Sequence, residues 1–263
     1  MTPTTHPCWV RALLGCLLVL PACGTDGAGT RATTTNAEVA EGAAPVVDPG
    51  DGGDYAPSLD PADFVAGIDN PYLPFTPGST WTYLGDSDGR TERVEVEVLS
   101  ETRDIGGIEA TVVRDTVYVD GEMVEDTYDW FAQDRDGSVW YLGEDTHEYE
   151  DGVAVNANGA WEHGVDGAVA GMVMPAAPTV GDSYRQEYYE GEAEDMAEVL
   201  EVGVARSIEA GEYHDVVVTE DWTPLEPEVV EQKWYARGVG NIYSTHTRGK
   251  AGTVELVAFV PAQ

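Results

Sequence analysis

The alternating stretch Arg93-Val94-Glu95-Val96-Glu97-Val98 decides the fold class of this 263-residue chain. A valine follows each charged residue, which is the period-2 pattern of a β-strand with one buried face and one solvated face. β-Branched runs at 111–113 and 216–219 also favour strands. Residues 192–202 have a helical composition but alternate like a strand, and no segment shows a convincing 3.6-residue apolar stripe. We therefore predict an all-β body.

Hairpin turns separate the predicted strands. Asp88-Gly89, Asp120-Gly121 and Asp136-Gly137 each place a glycine after an aspartate. Tight hairpins prefer this pair because both residues tolerate positive φ angles. Aromatic stretches at 128–131 and 139–141 flank the third turn, so we expect a hairpin there.

The two halves of the body share landmarks in the same order, at an offset of about 103 to 105 residues. The matching stretches are 74–81 with 175–184, 112–115 with 217–220, 130–132 with 234–236, and 137–140 with 240–243. We therefore predict two tandem antiparallel β repeats of about 100 residues, at 72–142 and 175–250. Neither repeat can cover its own apolar face, so we expect one curled sheet or barrel-like body.

The N-terminal 60 residues differ in composition from the body. Arg11 precedes an apolar stretch at 12–20, about half the length of a membrane-spanning helix, so we interpret residues 1–22 as a signal peptide. Residues 23–60 are rich in Gly, Ala, Thr, Pro and Asp and have few larger apolar side chains, so we predict a disordered tether. The β body is then expected at 61–263.

The stretch Leu20-Pro21-Ala22-Cys23 resembles the lipobox of bacterial lipoproteins, in which the cysteine is lipidated, although Pro21 departs from the pattern. Cys8 and Cys16 would leave with the signal, so Cys23 would be the only cysteine of the mature chain. The resemblance implies an acyl anchor in the lipid bilayer of the cell membrane, with the body facing outside the cytoplasm. Ordinary secretory cleavage that leaves Cys23 as a thiol is the alternative.

In architecture, the body resembles the open or half-closed β-barrel lipoproteins of bacterial envelopes, some of which carry lipids in a concave face. The phrases at 70–75 and 234–240 look like those of uncharacterised exported bacterial lipoproteins, and no activity follows from them. We therefore predict, as our own hypothesis, a non-catalytic protein that binds a small or apolar ligand, or an envelope partner, in a concave sheet face. A calcium-stabilised structural or adhesive module is the alternative, and a hydrolase comes third.

Charge and motif content exclude several function classes. The formal net charge is −36, from 13 Lys and Arg against 49 Asp and Glu, so the chain would repel a nucleic-acid backbone. No serine lies in a Gly-x-Ser-x-Gly elbow, and His214 and His246 have no evident partner motif. We therefore expect no enzymatic activity and no cofactor, with calcium as the one open alternative.

Candidate ligand-binding residues lie in two places. The connector between the repeats, at 143–178, is too long for a tight turn, so it forms an apolar plug, a lid over a ligand, or a transition-metal site built from its histidines and carboxylates. The connector and the strand that starts at Tyr184 contribute the candidates Trp161, Met172, Met174, Arg185, Glu187, Glu194 and Asp195. Residues 185 and 187 would share a strand face and could form an ion pair. A solvated outer face explains these charged residues as well.

Two acidic turns are candidate metal sites. Their carboxylates belong to Asp86, Asp88, Asp134 and Asp136. Calcium requires about six to eight oxygen ligands, and neither turn continues to the distant glutamate of an EF-hand. Both turns lie where hairpins are expected, so turn formation explains the same residues.

Overall fold

The computed structural model describes residue 49, residues 55–87 and residues 89–263. The predicted signal peptide and Cys23 lie outside these residues. The described chain contains one short 3-10 helix, Pro61–Asp63, and is otherwise built from strands and connecting turns. The strands are β1 (Phe64–Val65), β2 (Thr80–Ser87), β3 (Arg90–Ile105), β4 (Ile108–Val119), β5 (Glu122–Asp134), β6 (Val139–Glu150), β7 (Val153–Asn156), β8 (Trp161–Glu162), β9 (Val169–Met174), β10 (Ser183–Arg185), β11 (Glu187–Tyr188), β12 (Met196–Ile208), β13 (Gly211–Trp222), β14 (Val230–Ala236), β15 (Gly240–Arg248) and β16 (Gly252–Val260). The all-β prediction is confirmed.

One antiparallel sheet curls into a nearly closed barrel. Its strand order is β10-β12-β13-β14-β15-β16-β2-β3-β4-β5-β6-β9-β11. The two ends of this order, β10 and β11, are consecutive in the chain and are separated only by Gln186. One short stretch therefore pairs with β12 on one side and with β9 on the other. We call this stretch, residues 183–188, the seam of the barrel.

Alternation along the strands separates the inside of the barrel from the outside. In β3, Val94, Val96 and Val98 are buried, whereas the residues between them reach solvent. Since side chains of a strand point alternately to opposite faces, the valines line the interior. The period-2 stretch thus folds as its sequence predicts. The predicted tight turn between β4 and β5 also forms. In the β4–β5 turn, Asp120 and Gly121 both have positive φ angles, of 52° and 88°.

Aromatic rings fill one end of the barrel. Phe131 stacks on Tyr141 with ring centroids 4.7 Å apart and lies 5.1 Å from Phe75. Phe75 meets Trp81 edge-on at 6.0 Å, and the indole N–H of Trp81 donates to the backbone oxygen of Val239 at 2.7 Å. The segment before β2 therefore plugs this end with apolar surface, which is a main source of stability for the fold.

The two predicted repeats share local details. Three features occupy matching positions. A backbone hydrogen bond joins Gly78 to Val98 in the first repeat and Gly181 to Val199 in the second. The strand register shifts after Trp130 and after Trp234, and an arginine stacks on each of these rings, Arg103 on Trp130 and Arg206 on Trp234. A duplicated unit would produce such correspondences. The duplication itself stays a prediction.

The predicted connector at 143–178 contains regular structure. It begins inside β6 and includes β7, β8 and β9, each of which pairs with β6. The connector therefore extends the sheet and brings the chain to the seam. Within the part of the chain that the structure describes, no helix is long and apolar enough to cross a membrane.

Candidate functional site

One side of the barrel interior is lined with carboxyl groups. Along β5, Glu125, Thr127 and Asp129 are buried, while the two residues between them are partly exposed. Because alternate residues share a face, these three side chains point inward. Together with neighbours on β3, β4 and β6 they form a surface that we call the acidic inner wall. Its carboxyl groups are each at most 3% exposed and belong to Glu92, Asp115, Glu125, Asp129 and Glu144.

Strand register sets the spacing of this wall. Asp129 lies opposite Glu144 across β5 and β6. Thr127 comes two residues before Asp129 on β5 and lies opposite Asp115 on β4 and opposite Thr146 on β6. The hydroxyl oxygens of Thr127 and Thr146 are 2.6 Å apart. The carboxyl groups therefore form a ladder along the strands, with hydroxyl groups between its levels.

Two carboxyl groups of the wall have an oxygen without a hydrogen-bond partner among the described residues. Oε1 of Glu125 accepts a hydrogen bond from Thr127 Oγ1 at 3.3 Å, but its buried Oε2 has no partner there. Oδ1 of Asp129 accepts a hydrogen bond from the Tyr141 hydroxyl at 2.6 Å, but its buried Oδ2 has none. Buried polar atoms are hydrogen-bonded in the great majority of cases. These two oxygens are therefore the candidate contact atoms of the wall.

Burial changes the protonation of the same two groups. Burial foremost, together with the neighbouring carboxylates, raises the pKa of Glu125 to about 8, against the lowering effect of the Thr127 hydrogen bond. Burial also raises the pKa of Asp129 to about 7, although the hydrogen bond from Tyr141 lowers it. Near neutral pH the wall therefore retains protons that a bound cation would displace.

A buried ion pair lies on the inner face of β13 and β14. Lys233 Nζ is 2.9 Å from Asp221 Oδ2 and 3.6 Å from Glu231 Oε2. Thr219 Oγ1 donates to the other oxygen of Asp221 at 2.6 Å, and Gln186 Nε2 donates to Oδ2 at 3.3 Å. Burial lowers the pKa of Lys233, but the carboxylates, Asp221 foremost, hold it above its ordinary value. This lysine therefore stays protonated and is unsuited to nucleophilic catalysis.

All seven predicted ligand-binding residues are buried. Their exposed fractions are 5% for Trp161, 3% for Met172, 0% for Met174, Arg185 and Glu187, 9% for Glu194 and 6% for Asp195. This burial excludes the alternative of a solvated outer face for the charged residues among them. The methionines lie on β9, where Met172 pairs with Trp140 and Met174 with Val139, so they belong to the apolar core.

The structure brings two of these candidates together at the border of the acidic inner wall. Trp161 Nε1 donates to Glu187 Oε2 at 2.9 Å, and its ring meets Tyr141 edge-on at 5.3 Å. Trp161 also lies opposite Glu144 in the pairing of β8 with β6. Glu194 has a local role, because its Oε1 accepts a hydrogen bond from the backbone N–H of Gly191 at 2.7 Å.

The last part of the predicted tether packs on the seam. Tyr55 is 7% exposed and donates its hydroxyl to the backbone oxygen of Ala170 at 2.8 Å. Its ring lies 5.9 Å from that of Tyr188, and the Arg185 guanidinium lies 4.8 Å from Tyr188 and 5.8 Å from Tyr55. Tyr55 therefore lies against the barrel at its seam.

Asp134 and Asp86 use their carboxylates within the acidic turns. Asp134 Oδ1 accepts hydrogen bonds from three successive backbone N–H groups, at 136–138, and its Oδ2 accepts one from Trp140 Nε1 at 2.9 Å. In the β2–β3 turn, Asp86 Oδ1 accepts one hydrogen bond, from the backbone N–H of Gly89 at 3.2 Å, and Asp88 lies outside the described residues. In the ranges that the structure describes, no three side chains of the metal-ligating types come together to hold an ion.

Sequence reasoning missed the acidic inner wall. Glu125, Thr127 and Asp129 alternate with Asp126 and Tyr128, so both faces of this stretch contain polar residues and the period-2 pattern is hidden. One signal was available in the sequence. The wall residues of β5 lie on the same strand face as the aromatic core residues that follow them on that strand.

No family model matches the sequence, and no curated protein matches it either. Among solved structures, the chain is similar to a Bacteroides fragilis protein assigned as exported and described as having a YmcC-like fold. The TM-score is 0.44 and the identity 15%, over 72% of this chain and 99% of that chain. A Parabacteroides distasonis protein assigned as a lipoprotein gives a TM-score of 0.39 and 13% identity, over 72% of this chain and 98% of that chain. Both likenesses are too distant to transfer a location or an activity.

Proposed function

We propose that this chain is an exported, lipid-anchored, non-catalytic protein that binds a small ligand on the acidic inner wall of its barrel. The observation that supports this most strongly is the pair of buried oxygens, Glu125 Oε2 and Asp129 Oδ2, without partners among the described residues. Leaving a buried polar group unsatisfied costs about 1 to 3 kcal/mol. Proteins keep such local costs mainly at functional sites.

The lining favours a polar ligand over an apolar one. An apolar molecule beside the wall would leave Glu125 and Asp129 desolvated and unpaired, which is the costly arrangement. A polar ligand that donates hydrogen bonds would instead satisfy both groups. Since the wall is at most 3% exposed, a folded protein partner cannot reach it, and the ligand must be small.

A hydrolase is the less favoured function. Asp129 and Glu144 face each other across two strands, as a catalytic carboxyl pair does, but they are only 0% and 2% exposed. A polymeric substrate would have to enter the barrel to reach them. This burial therefore disfavours a hydrolase that acts on a polymer.

The proposed location rests on the sequence around Cys23. A single acyl chain binds membranes only marginally, whereas lipoprotein processing attaches two or three chains, which gives a stable anchor. Cys23→Ser should therefore abolish incorporation of labelled palmitate and release the exported protein from the membrane fraction. A variant that remains in the membrane without label would contradict lipidation at this residue.

Native mass spectrometry of the full-length protein, purified from membranes in detergent, tests the binding function. We expect an excess mass equal to a small organic molecule that survives addition of a chelator. An excess in multiples of the calcium mass that chelation removes would favour the calcium-stabilised module instead. A bare protein mass under both conditions would contradict the proposal.

A further inference from the structure

Few backbone pairs hold the seam, residues 183–188, in the sheet. β10 pairs with β12 through three residues, and β11 pairs with β9 through two. Between these strands, the backbone N–H of Gln186 donates to the oxygen of Asp195 at 2.8 Å. β3 and β4, in contrast, pair along most of their length. Release of the seam therefore breaks a small part of the hydrogen-bond ladder, whereas separation of β3 from β4 would break a large part.

Polar side chains occupy the buried part of the seam. Arg185 and Glu187 are each 0% exposed, and Tyr184 and Gln186 are each 2% exposed. The Tyr184 hydroxyl and Gln186 Oε1 have no hydrogen-bond partner among the described residues. Burial of polar groups costs free energy, and contact with water removes that cost. The free energy needed to open the seam is therefore lower than it would be for an apolar stretch of the same length.

Glycines flank the seam on both sides. Gly181 and Gly191 are exposed and have φ angles of 91° and 77°, in the left-handed region. A Cβ atom added at either position would meet no atom within 4 Å, so the surroundings leave room for rotation there. Both are also fixed to the barrel, because their N–H groups donate to the backbone oxygen of Val199 at 2.9 Å and to Glu194 Oε1 at 2.7 Å. Residues 181–191, which we call the flap, therefore have a hinge at each end.

β9 meets the flap without a side chain between them. A Cβ atom added at Gly171 would lie 2.2 Å from the carbonyl carbon of Gln186 and 2.5 Å from the backbone nitrogen of Glu187. Glycine inside a strand often marks such a close approach of another backbone. Closure of the flap on β9 therefore depends on the absence of a single methyl group at this position.

Two side chains from outside the flap hold it closed. Tyr55 donates its hydroxyl to the backbone oxygen of Ala170 on β9 at 2.8 Å, and its ring lies 5.9 Å from that of Tyr188 on the flap. Trp161 on β8 donates its indole N–H to Glu187 at 2.9 Å. Both contacts are made at β11, so outward movement of this part of the flap requires the loss of both.

From these contacts we propose that the flap is a gate in the barrel wall, which turns outward about Gly181 and Gly191 while the remaining strands stay paired. In the open form, water reaches the acidic inner wall, whose carboxyl groups are at most 3% exposed in the closed barrel. This inference goes beyond the proposed function, because opening of the gate requires no ligand.

Native-state hydrogen exchange of the full-length protein, read by mass spectrometry at several urea concentrations below the unfolding transition, tests the gate. We expect backbone amides at 183–188 to exchange at least about tenfold faster than those of β3 and β4. Their exchange should also change less with urea, because opening exposes less surface than unfolding does. Equal protection and equal urea dependence in both groups would overturn the gate. Different urea dependences for β10 and β11 would show that two strands fray independently, which would also overturn it.

Two alanine substitutions separate the gate from a general weakness of the sheet. Gly171→Ala places a methyl group against the flap and should speed exchange at 183–188 at least about tenfold, with little effect on β3 and β4. Gly85→Ala is the matched control, because its Cβ atom would lie 2.1 Å from the backbone oxygen of Thr253, between β2 and β16. It should lower the urea midpoint of global unfolding without a selective effect on the flap. Equal effects of the two substitutions on the flap would overturn the gate.

A disulfide across the seam tests the gate even where an alanine variant fails to fold. Ser183 on β10 and Glu198 on β12 are antiparallel partners. Cα atoms of such partners lie about 4.5 to 5.5 Å apart, within the range that a disulfide needs. In Ser183→Cys/Glu198→Cys, oxidation should slow exchange of β11 as well as β10 at least about tenfold, because the flap moves as one segment, and reduction should restore it. Oxidised protein in which β11 exchanges as fast as in the reduced protein would overturn the gate.

Discussion

The carboxyl group of Glu125 makes stability depend on pH in a direction unlike that of a surface carboxylate. Its pKa is raised from 4.5 to about 8 in the folded barrel, mainly by burial. Between these values the unfolded chain has released its proton while the folded chain retains it. The free energy of unfolding of the unliganded protein therefore falls as pH rises from about 5 to about 8.

Glu125→Gln removes this dependence, because an amide does not ionise. We expect the variant to be more stable than the parent near pH 8, by about 1 to 3 kcal/mol, and to show a flatter profile toward pH 5. Urea denaturation across this pH range measures the effect, with Glu122→Gln retaining the parent slope. A variant that keeps the parent slope would show that Glu125 does not titrate in this range.

The sequence around Asp134 is compatible with both metal binding and turn formation. Asp134→Ala removes the acceptor of three backbone N–H groups and of the Trp140 indole, so we expect a loss of about 2 to 4 kcal/mol of unfolding free energy. Asp134→Asn keeps the turn acceptor and loses mainly the indole bond, so its loss should be smaller. Denaturation with and without calcium measures both variants, and a stability gain from calcium that Asp134→Ala abolishes would favour the metal site.

At the scale of elements, the strands and hairpins were predictable and the seam was not. β3 was predictable because its valines and charged residues alternate strictly. β10 and β11 contain three and two residues, too few for a periodic signal, and their pairing with β12 and β9 depends on closure of the whole sheet. The acidic inner wall escaped prediction for a related reason, since polar residues occupy both faces of β5 at Glu125–Asp129.

The seam should depend on the N-terminal segment that covers it. Tyr55→Ala removes the ring beside Tyr188 and Arg185 together with the hydrogen bond to Ala170, so backbone amides of 183–188 should exchange hydrogen faster. Tyr55→Phe loses only the hydrogen bond and should cost about 0.5 to 1.5 kcal/mol. Hydrogen exchange read by mass spectrometry measures both, with Leu84→Ala, at a 44% exposed position on β2, as the control. Unchanged exchange of the seam in Tyr55→Ala would contradict this role.

At the scale of the whole molecule, the formal net charge of −36 places strong self-repulsion on the folded chain. Salt screens such repulsion, with a Debye length of about 10 Å at 0.1 M. We expect the melting temperature to increase by several degrees when sodium chloride is raised from about 0.01 M to about 0.5 M. Differential scanning calorimetry measures this, and a melting temperature that falls with salt would show that favourable ion pairs outweigh repulsion.

A comparison of native masses tests whether a ligand binds inside the barrel. Full-length protein and the Glu125→Gln/Asp129→Asn double variant would be purified in parallel from the same membranes and sprayed under identical conditions. We predict a small-molecule excess mass on the parent and its absence on the folded double variant. The same excess on both proteins, or none on either, would contradict it.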